Sequence, residues 1–521
     1  MSLELIKEAV RLNQPIGEDT IQTIVENDII VPDVKPDISR VLLLDGESWI
    51  DSAEVATDKV LISGTVRYKI LYVSDDSEQP IKSINSSTGF HYSMDIPNTR
   101  QGMQCRVQCD IEHMEYEVIN SRKVNVKAIV SLAGKTTDQI ERLITQDFDG
   151  LEGIQVLRNT ISVNSYIGNS ESSCLVGEIL EMPTGKPAIL EILRSDARVT
   201  AKDFKVTEDK IDAIGELYLS TLYIADDETR TIQYMEHQIP FTQPIELAGV
   251  NESSYCDLDY SLGEVMCEAL EDSDGELRQL RCEAMLSVYA ECFEKREVEL
   301  VEDAYSPYSR VSIEKENLIL EELVSENESQ ITVKEAIEID EDSPDISELF
   351  NVLGKLSLSG GEIADERINV EGVVVTNVLY LADDEDEPVL CVSREIPFRQ
   401  SLEVKGVSED MGLGVEMDIE HCSYNIISTK QIEVRFIIGL KTRVGRQITV
   451  PVIVNAEEQT LDENRLAQQP SVTIYFTRQD DTLWNIAKKY YTTVDELIMH
   501  NELEDIGELR GGEQLIIPRK L

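Results

Sequence analysis

Residues 58–76 read DKVLISGTVRYKILYVSDD, and similar stretches occupy residues 209–227 and 366–384. The copies align without a gap and share a central glycine and a later tyrosine, at Gly64, Gly215 and Gly372 and at Tyr72, Tyr223 and Tyr380. Apolar and polar residues alternate in each copy, a period of two that is typical of a half-buried β-strand. A pair of aspartates closes each copy, as a turn does. The stretch therefore predicts a strand and a hairpin turn, three times over.

Other landmarks repeat at the same distance from this stretch. The first copy follows Pro-Asp-Ile at 36–38 and precedes Asp-Ile-Glu-His at 110–113. Around the third copy, Pro-Asp-Ile recurs at 344–346 and Asp-Ile-Glu-His at 418–421. One separation of 308 residues relates all of these points, which indicates duplication of a large unit. The second copy has diverged and lacks the Asp-Ile-Glu-His stretch.

We predict a mainly β, multidomain chain: three β-rich repeats with a small C-terminal α+β domain. Leu3, Ile6 and Val10 recur at helical spacing, so we expect an N-terminal helical segment. The predicted boundaries are the helical segment at 1–19, repeats at 20–137, 159–307 and 331–445, a connector at 308–330, a linker at 455–470 and the C-terminal domain at 473–518.

Composition narrows the partners and the compartment. The chain has 100 acidic and 47 basic residues, a net charge of −53, so nucleic acid and direct membrane insertion are poor expectations. The start of the sequence is charged and no apolar run approaches the length of a membrane span, so we expect neither a signal peptide nor a span. Nine scattered cysteines without a Cys-x-x-Cys pair favour free thiols in a reducing compartment.

The last fifty residues change character. Alternation over 472–476 predicts a strand, and Asp481 is placed to cap a helix that starts at Thr482. Thr493 and Glu496 form a capping-box pattern for a second helix, and residues 514–518 form a closing strand. The predicted order is βααβ, with Trp484 in the helix core.

No pattern of catalytic or metal-binding residues is convincing. Adjacent side chains of a strand point to opposite faces, so the repeated pairs Glu112–His113 and Glu420–His421 are predicted to be structural. The paired aspartates lack the glycine and spacing of a calcium loop, which favours solvated hairpins. We therefore expect no enzyme, cofactor or metal. A glycan hydrolase that uses two carboxylates stays open as a weak alternative.

Residues 475–490, together with Asn501 and the strand at 515–518, resemble a LysM module. The resemblance covers 473–518 and implies a shallow groove for N-acetylglucosamine polymers such as peptidoglycan. Asp480 stands where the family has glycine, and residues 502–508 are strongly acidic; both departures favour a protein ligand. Carried over residue by residue, the groove would be formed by Asp481, Thr482, Leu483, Asn501, Leu503, Glu504, Asp505 and Ile506.

The three repeats resemble the domain of unknown function 3794, and the whole arrangement is similar to the SipL family of clostridial spore-coat morphogenetic proteins. That resemblance implies a non-enzymatic adaptor in the mother-cell cytoplasm at the forespore surface, and in the spore coat. The implied partner is the SpoIVA-type coat ATPase, with other coat proteins and peptidoglycan as further candidates. The alternative is a cell-wall tether that binds peptidoglycan through the LysM module.

Overall fold

The structure is a computed structural model that describes residues 3–75, 81–228, 230–382, 384, 389–459, 472–503, 509 and 511–518. Within these described residues, eighteen strands form three successive sets of six, and the C-terminal domain adds two strands and two helices. The first set is β1 (Glu4–Ile30), β2 (Ile38–Ala56), β3 (Lys59–Ser74), β4 (Ile81–Asp95), β5 (Gln104–Asn120) and β6 (Lys123–Asp149). The second set is β7 (Gln155–Glu181), β8 (Ile189–Thr207), β9 (Lys210–Ala225), β10 (Ile232–Glu246), β11 (Tyr255–Glu271) and β12 (Leu277–Tyr305). The third set is β13 (Arg310–Glu338), β14 (Ile346–Ala364), β15 (Arg367–Ala382), β16 (Val389–Glu403), β17 (Gly412–Ser428) and β18 (Gln431–Gln459).

Each repeat is a sandwich of two three-stranded antiparallel sheets. In repeat 1 the sheets have the orders β1-β6-β5 and β2-β3-β4, and repeats 2 and 3 follow the same plan. The predicted strand at 58–76 is β3, the centre of its sheet, and its alternate residues Val60, Ile62, Val66 and Tyr68 are buried between the sheets. The predicted fold class, β-rich repeats followed by a small α+β domain, is confirmed.

The repeated glycine makes room for an aromatic ring on the neighbouring strand. Gly64 pairs directly with Phe90 of β4, and a Cβ on Gly64 would lie 2.5 Å from the Phe90 ring and 2.7 Å from the Trp49 carbonyl oxygen. Gly215 with Phe241, and Gly372 with Phe398, repeat this arrangement. The ring covers the bare backbone of the central strand, which explains why the glycine occurs in all three copies.

The repeated tyrosine joins the end of the central strand to the segment that precedes the second strand. The buried Tyr72 hydroxyl donates a 3.0 Å hydrogen bond to the Pro36 carbonyl oxygen. Tyr223 does the same in repeat 2, at 3.2 Å from the Pro187 oxygen. The repeated tyrosine and the repeated proline, although far apart in sequence, are therefore partners in one hydrogen bond.

The predicted N-terminal helix is wrong, because residues 4–30 form the long strand β1. The register shifts between Ile6 and Lys7, where β6 contributes the extra residue. Leu5, Val10 and Leu12 point inward, whereas Ile6 and Lys7 face solvent. The helix-like spacing of Leu3, Ile6 and Val10 therefore includes Ile6, an apolar residue on the exposed side of the strand.

The predicted connector at 308–330 is also wrong, because residues 310–338 form the strand β13. This strand is the counterpart of β1 in repeat 3, and it has a register shift between Glu314 and Lys315. The predicted linker at 455–470 begins inside β18, which extends to Gln459. Its remainder lies outside the described residues.

Three two-stranded ribbons extend beyond the sandwiches and pack together. They pair residues 4–14 with 138–149, 155–165 with 294–305, and 310–323 with 445–459. Equivalent residues of the three repeats meet in one apolar cluster that includes Val10, Ile161 and Leu318. We call this six-stranded bundle the stalk. Because equivalent residues of all three repeats meet in it, we infer that the repeats are arranged with pseudo-threefold symmetry about the stalk.

A second apolar cluster joins the repeats away from the stalk. Leu71, Leu222 and Leu379, at equivalent positions of β3, β9 and β15, belong to it. The three sandwiches therefore meet at both ends of the axis, and they surround an open central cavity of about 3230 Å³. No helix among the described residues has the length and apolar character needed to cross a membrane.

Candidate functional site

The C-terminal domain has the predicted order βααβ: β19 (Val472–Phe476), α1 (Leu483–Tyr490), α2 (Val494–Asn501) and β20 (Gln514–Pro518). The two strands pair antiparallel. The helices cover one face of the strand pair, where Leu483, Ile486 and Leu497 pack with Leu515 and Ile517 of β20. The predicted capping box is confirmed, since Thr493 accepts a hydrogen bond from the Glu496 amide and Glu496 accepts one from the Thr493 amide.

The first side of the predicted groove consists of residues that serve the domain's own fold. Thr482, not Asp481, caps α1, because its hydroxyl accepts a hydrogen bond from the Asn485 amide at 3.1 Å. The Asp481 carboxylate instead accepts hydrogen bonds from the Arg478 amide and the Tyr475 hydroxyl, at 2.8 and 2.7 Å. These bonds, the amide first, lower the pKa of Asp481 from its usual range. Leu483 is buried in the core.

The second side of the predicted groove is described only in part. The Asn501 amide group donates to the carbonyl oxygens of Leu497 and Ile516, both at 2.8 Å, and its oxygen accepts from the Ile516 amide at 2.6 Å. Asn501 thus ties the end of α2 to β20. Leu503 packs partly against the core. Glu504, Asp505 and Ile506 lie outside the described residues, so the acidic rim stays a prediction.

The domain is docked on the stalk through α1. The Trp484 ring meets Tyr305, the last residue of β12, edge to face at 4.8 Å. Asp303 accepts hydrogen bonds from Trp484 Nε1 at 2.9 Å and from Lys488 Nζ at 2.7 Å. The Tyr305 hydroxyl donates to the Thr492 carbonyl oxygen at 2.9 Å. Trp484 therefore joins the domain to repeat 2, a contact that the sequence analysis missed because nothing in the strand pattern of β12 marks its end as a docking site.

The strand pair of this domain leaves its other face apolar and open. Val472, Ile474 and Phe476 alternate along β19 and are 56%, 56% and 63% exposed, and Ile516 of β20, paired with Ile474, is 41% exposed. We call these four residues the outer sheet face. Contiguous exposed apolar side chains of this kind mark interaction surfaces. The alternation in β19 was visible in the sequence, but not which of its two sides the helices cover.

The central cavity is lined by residues of all three repeats, and ion pairs in its wall join neighbouring repeats. Arg443 of repeat 3 donates a hydrogen bond from each of its two terminal nitrogens to the Asp257 carboxylate of repeat 2, and Arg106 of repeat 1 pairs with Asp259 at 2.8 Å. Asp257 is only 8% exposed. Burial alone would raise its pKa, but the hydrogen bonds and charge of Arg443 outweigh burial, and the pKa of Asp257 is lowered.

Two carboxyl groups of the cavity wall have the opposite shift. Burial and the nearby charge of Asp257 raise the pKa of Glu291 and of Glu416. Asn13 of repeat 1 donates a 2.5 Å hydrogen bond to Glu291. These polar contacts join one repeat to the next. We therefore interpret the charged wall as the interface that holds the three repeats together in a ring around the cavity.

The predicted set of free cysteines is wrong for two of the nine. Cys256 and Cys292 stand directly opposite each other on β11 and β12 and form a disulfide, and seven cysteines are free. Strand register brings these two together although 36 residues separate them, so spacing along the chain could not reveal the pair.

The repeated Glu-His pairs make local contacts. Glu112 accepts a 2.6 Å hydrogen bond from Gln22, and Glu420 accepts one from Gln330 at 2.7 Å. The two bonds are equivalent, one within repeat 1 and one within repeat 3, and each joins the first strand of a repeat to its fifth. Among the residues that the structure describes, no group of three or more His, Cys, Asp and Glu side chains is arranged to hold a metal ion.

Comparison with known families identifies both kinds of domain. The family model described as "SipL, SPOCS domain" matches three times, at residues 37–119, 188–270 and 345–427. Each match begins just before the second strand of a repeat and ends in its fifth. The LysM domain model matches residues 476–518. No curated protein and no solved structure matches the chain.

These matches define a class of proteins built from SPOCS repeats and a LysM domain, both of which are binding-type domains. The chain belongs to the SipL type, with three SPOCS repeats followed by a C-terminal LysM domain. It is accordingly a sporulation-related protein.

Proposed function

We propose that the protein is a non-enzymatic adaptor in spore coat assembly. In this proposal the LysM domain binds the coat basement-layer ATPase, and the ring of three SPOCS repeats carries that domain at the end of its stalk. The adaptor acts in the mother-cell cytoplasm at the forespore surface and ends in the spore coat. Other coat proteins are candidates for contact with the repeats.

The observation that supports a protein partner most directly is the outer sheet face. Ile474 and Phe476 expose more than half of their side chains in the full chain, while α1 is occupied by Asp303 and Tyr305 of repeat 2. An apolar strand pair suits a protein surface, because burial of Ile and Phe supplies hydrophobic free energy of about 1.5–3 kcal/mol for each side chain. A neutral glycan would instead need polar groups free to bond its hydroxyls.

The LysM match supports the alternative, a tether that binds peptidoglycan. The side chains of Asp481, Thr482 and Asn501 are each engaged in hydrogen bonds within the domain. Glycan binding at this groove would therefore depend on the backbone and on the rim that follows Leu503.

The test uses the full chain, immobilised and offered the coat ATPase and soluble peptidoglycan fragments in parallel. Ile474→Glu places a charge in the middle of the outer sheet face. We expect it to weaken ATPase binding at least tenfold, equivalent to about 1.4 kcal/mol.

Met499→Glu is the matched control, because Met499 is 69% exposed and lies on α2, away from the outer sheet face. We expect it to bind as the unchanged chain does, with both variants melting normally. If the chain binds peptidoglycan equally well in both variants and does not bind the ATPase, the adaptor proposal fails and the tether proposal takes its place.

A further inference from the structure

Repeat 2 holds two pairs of cysteines that face each other across β11 and β12. Cys256 stands opposite Cys292, and Cys267 stands opposite Cys282. The first pair forms a disulfide. The sulfur atoms of the second pair are 3.4 Å apart and share a hydrogen bond. Directly opposed residues of antiparallel strands have the separation that a disulfide needs.

The second pair is peculiar to repeat 2. The equivalent opposed positions are Tyr116 and Val126 in repeat 1 and Tyr424 and Val434 in repeat 3. The strand pairing is thus common to all three repeats, and the sandwich forms without sulfur at this place. Packing alone does not call for two thiols here.

We propose that Cys267 and Cys282 form a thiol oxidation site, which closes to a second cross-strand disulfide when the chain meets a soluble small-molecule disulfide. The site lies in repeat 2, remote from the LysM domain, and does not depend on the adaptor role.

The step proceeds by two exchanges that balance. The Cys267 thiolate attacks one sulfur of the small disulfide, forms a mixed disulfide and expels one small thiolate. The Cys282 thiolate then attacks the Cys267 sulfur, forms the protein disulfide and expels the second small thiolate. The two protons lost by the cysteines go to the two expelled thiolates, and the small disulfide is reduced as the cysteine pair is oxidised.

Exposure and acidity set this order. Cys267 is half-buried and Cys282 is fully buried, so the small disulfide reaches Cys267 first. The hydrogen bond shared with Cys282 lowers the pKa of Cys267, and Ser195 and the charge of Lys69 assist. The same hydrogen bond and burial raise the pKa of Cys282. The more exposed thiol is therefore also the better nucleophile near neutral pH.

The strand segment between the two pairs contacts both neighbouring repeats. Asp257 binds Arg443 of repeat 3, and the backbone oxygen of Val265 accepts a 3.2 Å hydrogen bond from Arg67 of repeat 1. Closing both pairs fixes residues 256–267 to β12 at each end. Oxidation at Cys267 would therefore stiffen the part of repeat 2 that holds the ring together.

The experiment exposes the reduced full chain to oxidised glutathione under native conditions and maps its thiols by differential alkylation. Free thiols are blocked with one reagent, the chain is denatured and reduced, and the released thiols receive a second. Cleavage after Arg278 separates Cys267 from Cys282, and fragmentation of the peptides assigns each label. We expect Cys267 and Cys282 to move together to the second label, and amides 257–266 to exchange hydrogen more slowly.

Two variants and a control define the route. Cys282→Ser leaves glutathione on Cys267 as a lasting mixed disulfide, whereas Cys267→Ser leaves Cys282 reduced. Cys174→Ser, on β7 of the same sheet, leaves the pair able to close. The proposal is overturned if both thiols of the unchanged chain keep the first label, or if Cys267 holds glutathione while Cys282 stays free.

Discussion

The contact between the LysM domain and the stalk depends on one carboxylate. Asp303 of β12 receives hydrogen bonds from Trp484 and Lys488 of α1. Asp303→Ala removes both while leaving the edge-to-face contact of Tyr305 with Trp484 in place. We expect the domain to keep its fold and to dock on the stalk more weakly.

The size of the effect follows from exposure. A hydrogen bond to a charged group contributes about 1.5–3 kcal/mol, but the Lys488 side chain is 40% exposed, so water replaces much of what Lys488 loses. A total loss of about 2 kcal/mol remains, which is roughly a thirtyfold change in the docking equilibrium. The aromatic contact adds about 0.5–1.5 kcal/mol and persists in the variant.

The chain has two tryptophans, so Trp49→Phe makes Trp484 the sole tryptophan fluorophore. In that background, acrylamide should quench Trp484 weakly while the domain is docked and more strongly after Asp303→Ala. The LysM domain should stay folded, because the variant leaves its buried residues Leu483, Ile486 and Leu497 in place.

Asp147→Ala is the matched control, since Asp147 occupies the equivalent place on β6 and pairs with Arg158 at 3.0 Å. It should leave quenching as it was. Equal quenching with and without the Asp303 carboxylate would show that the carboxylate does not hold the domain, and the docking argument would fail.

Four further outcomes are expected. Docking should weaken in acid. Burial alone would raise the pKa of Asp303, but the hydrogen bonds from Lys488 and Trp484 outweigh burial and lower it. The contribution of Asp303 to docking is therefore complete above the usual pKa of an aspartate and is lost as the pH falls through the lowered pKa, which a pH series of the same quenching measurement would detect. Leu12→Ala should cost about 2–4 kcal/mol in denaturant unfolding, because Leu12 is buried in the stalk, whereas Arg11→Ala on the exposed face should be nearly neutral. Gly64→Ala should lower the melting temperature more than Gly215→Ala, because the added Cβ of the first meets a carbonyl oxygen at 2.7 Å and that of the second meets only a ring; equal melting temperatures would contradict this reading. Asp257→Ala should destabilise the chain by about 1.5–3 kcal/mol, because Arg443 loses its nearly buried partner but keeps Glu326 at 3.1 Å. A calorimetric transition unchanged from that of the native chain would refute the role of the ion pair between the repeats.

Periodicity was a reliable guide wherever the strands were regular. β3 and its copies were predicted correctly, because each alternates without a break and ends in a turn. The first strand of the repeat was predicted as a helix, because Leu3, Ile6 and Val10 have helical spacing, but Ile6 is an exposed apolar residue of β1. One apolar side chain on the solvent side was enough to change the predicted element.

Features that depend on strand register could not be foreseen. The meeting of Cys256 with Cys292, of Arg443 with Asp257 and of Val10 with its equivalents each requires knowing which strands are neighbours. In the LysM domain the predicted elements are present, but the predicted groove residues have local roles: Thr482 caps a helix and Asn501 joins α2 to β20. Trp484 packs against the core of the domain, as predicted, and in addition contacts Tyr305 and Asp303 of repeat 2, which the sequence could not indicate.

The pseudo-threefold ring has a consequence for stoichiometry. Identical subunits would build a similar ring with three equal faces, would carry three copies of any appended module, and would come apart on dilution. Joining the repeats in one polypeptide removes that dependence on concentration and lets each face diverge, as Arg106, Asp257 and Gly414 have done at equivalent positions. Three repeats in one polypeptide therefore share the one LysM domain matched at 476–518, where a ring of identical subunits would carry three.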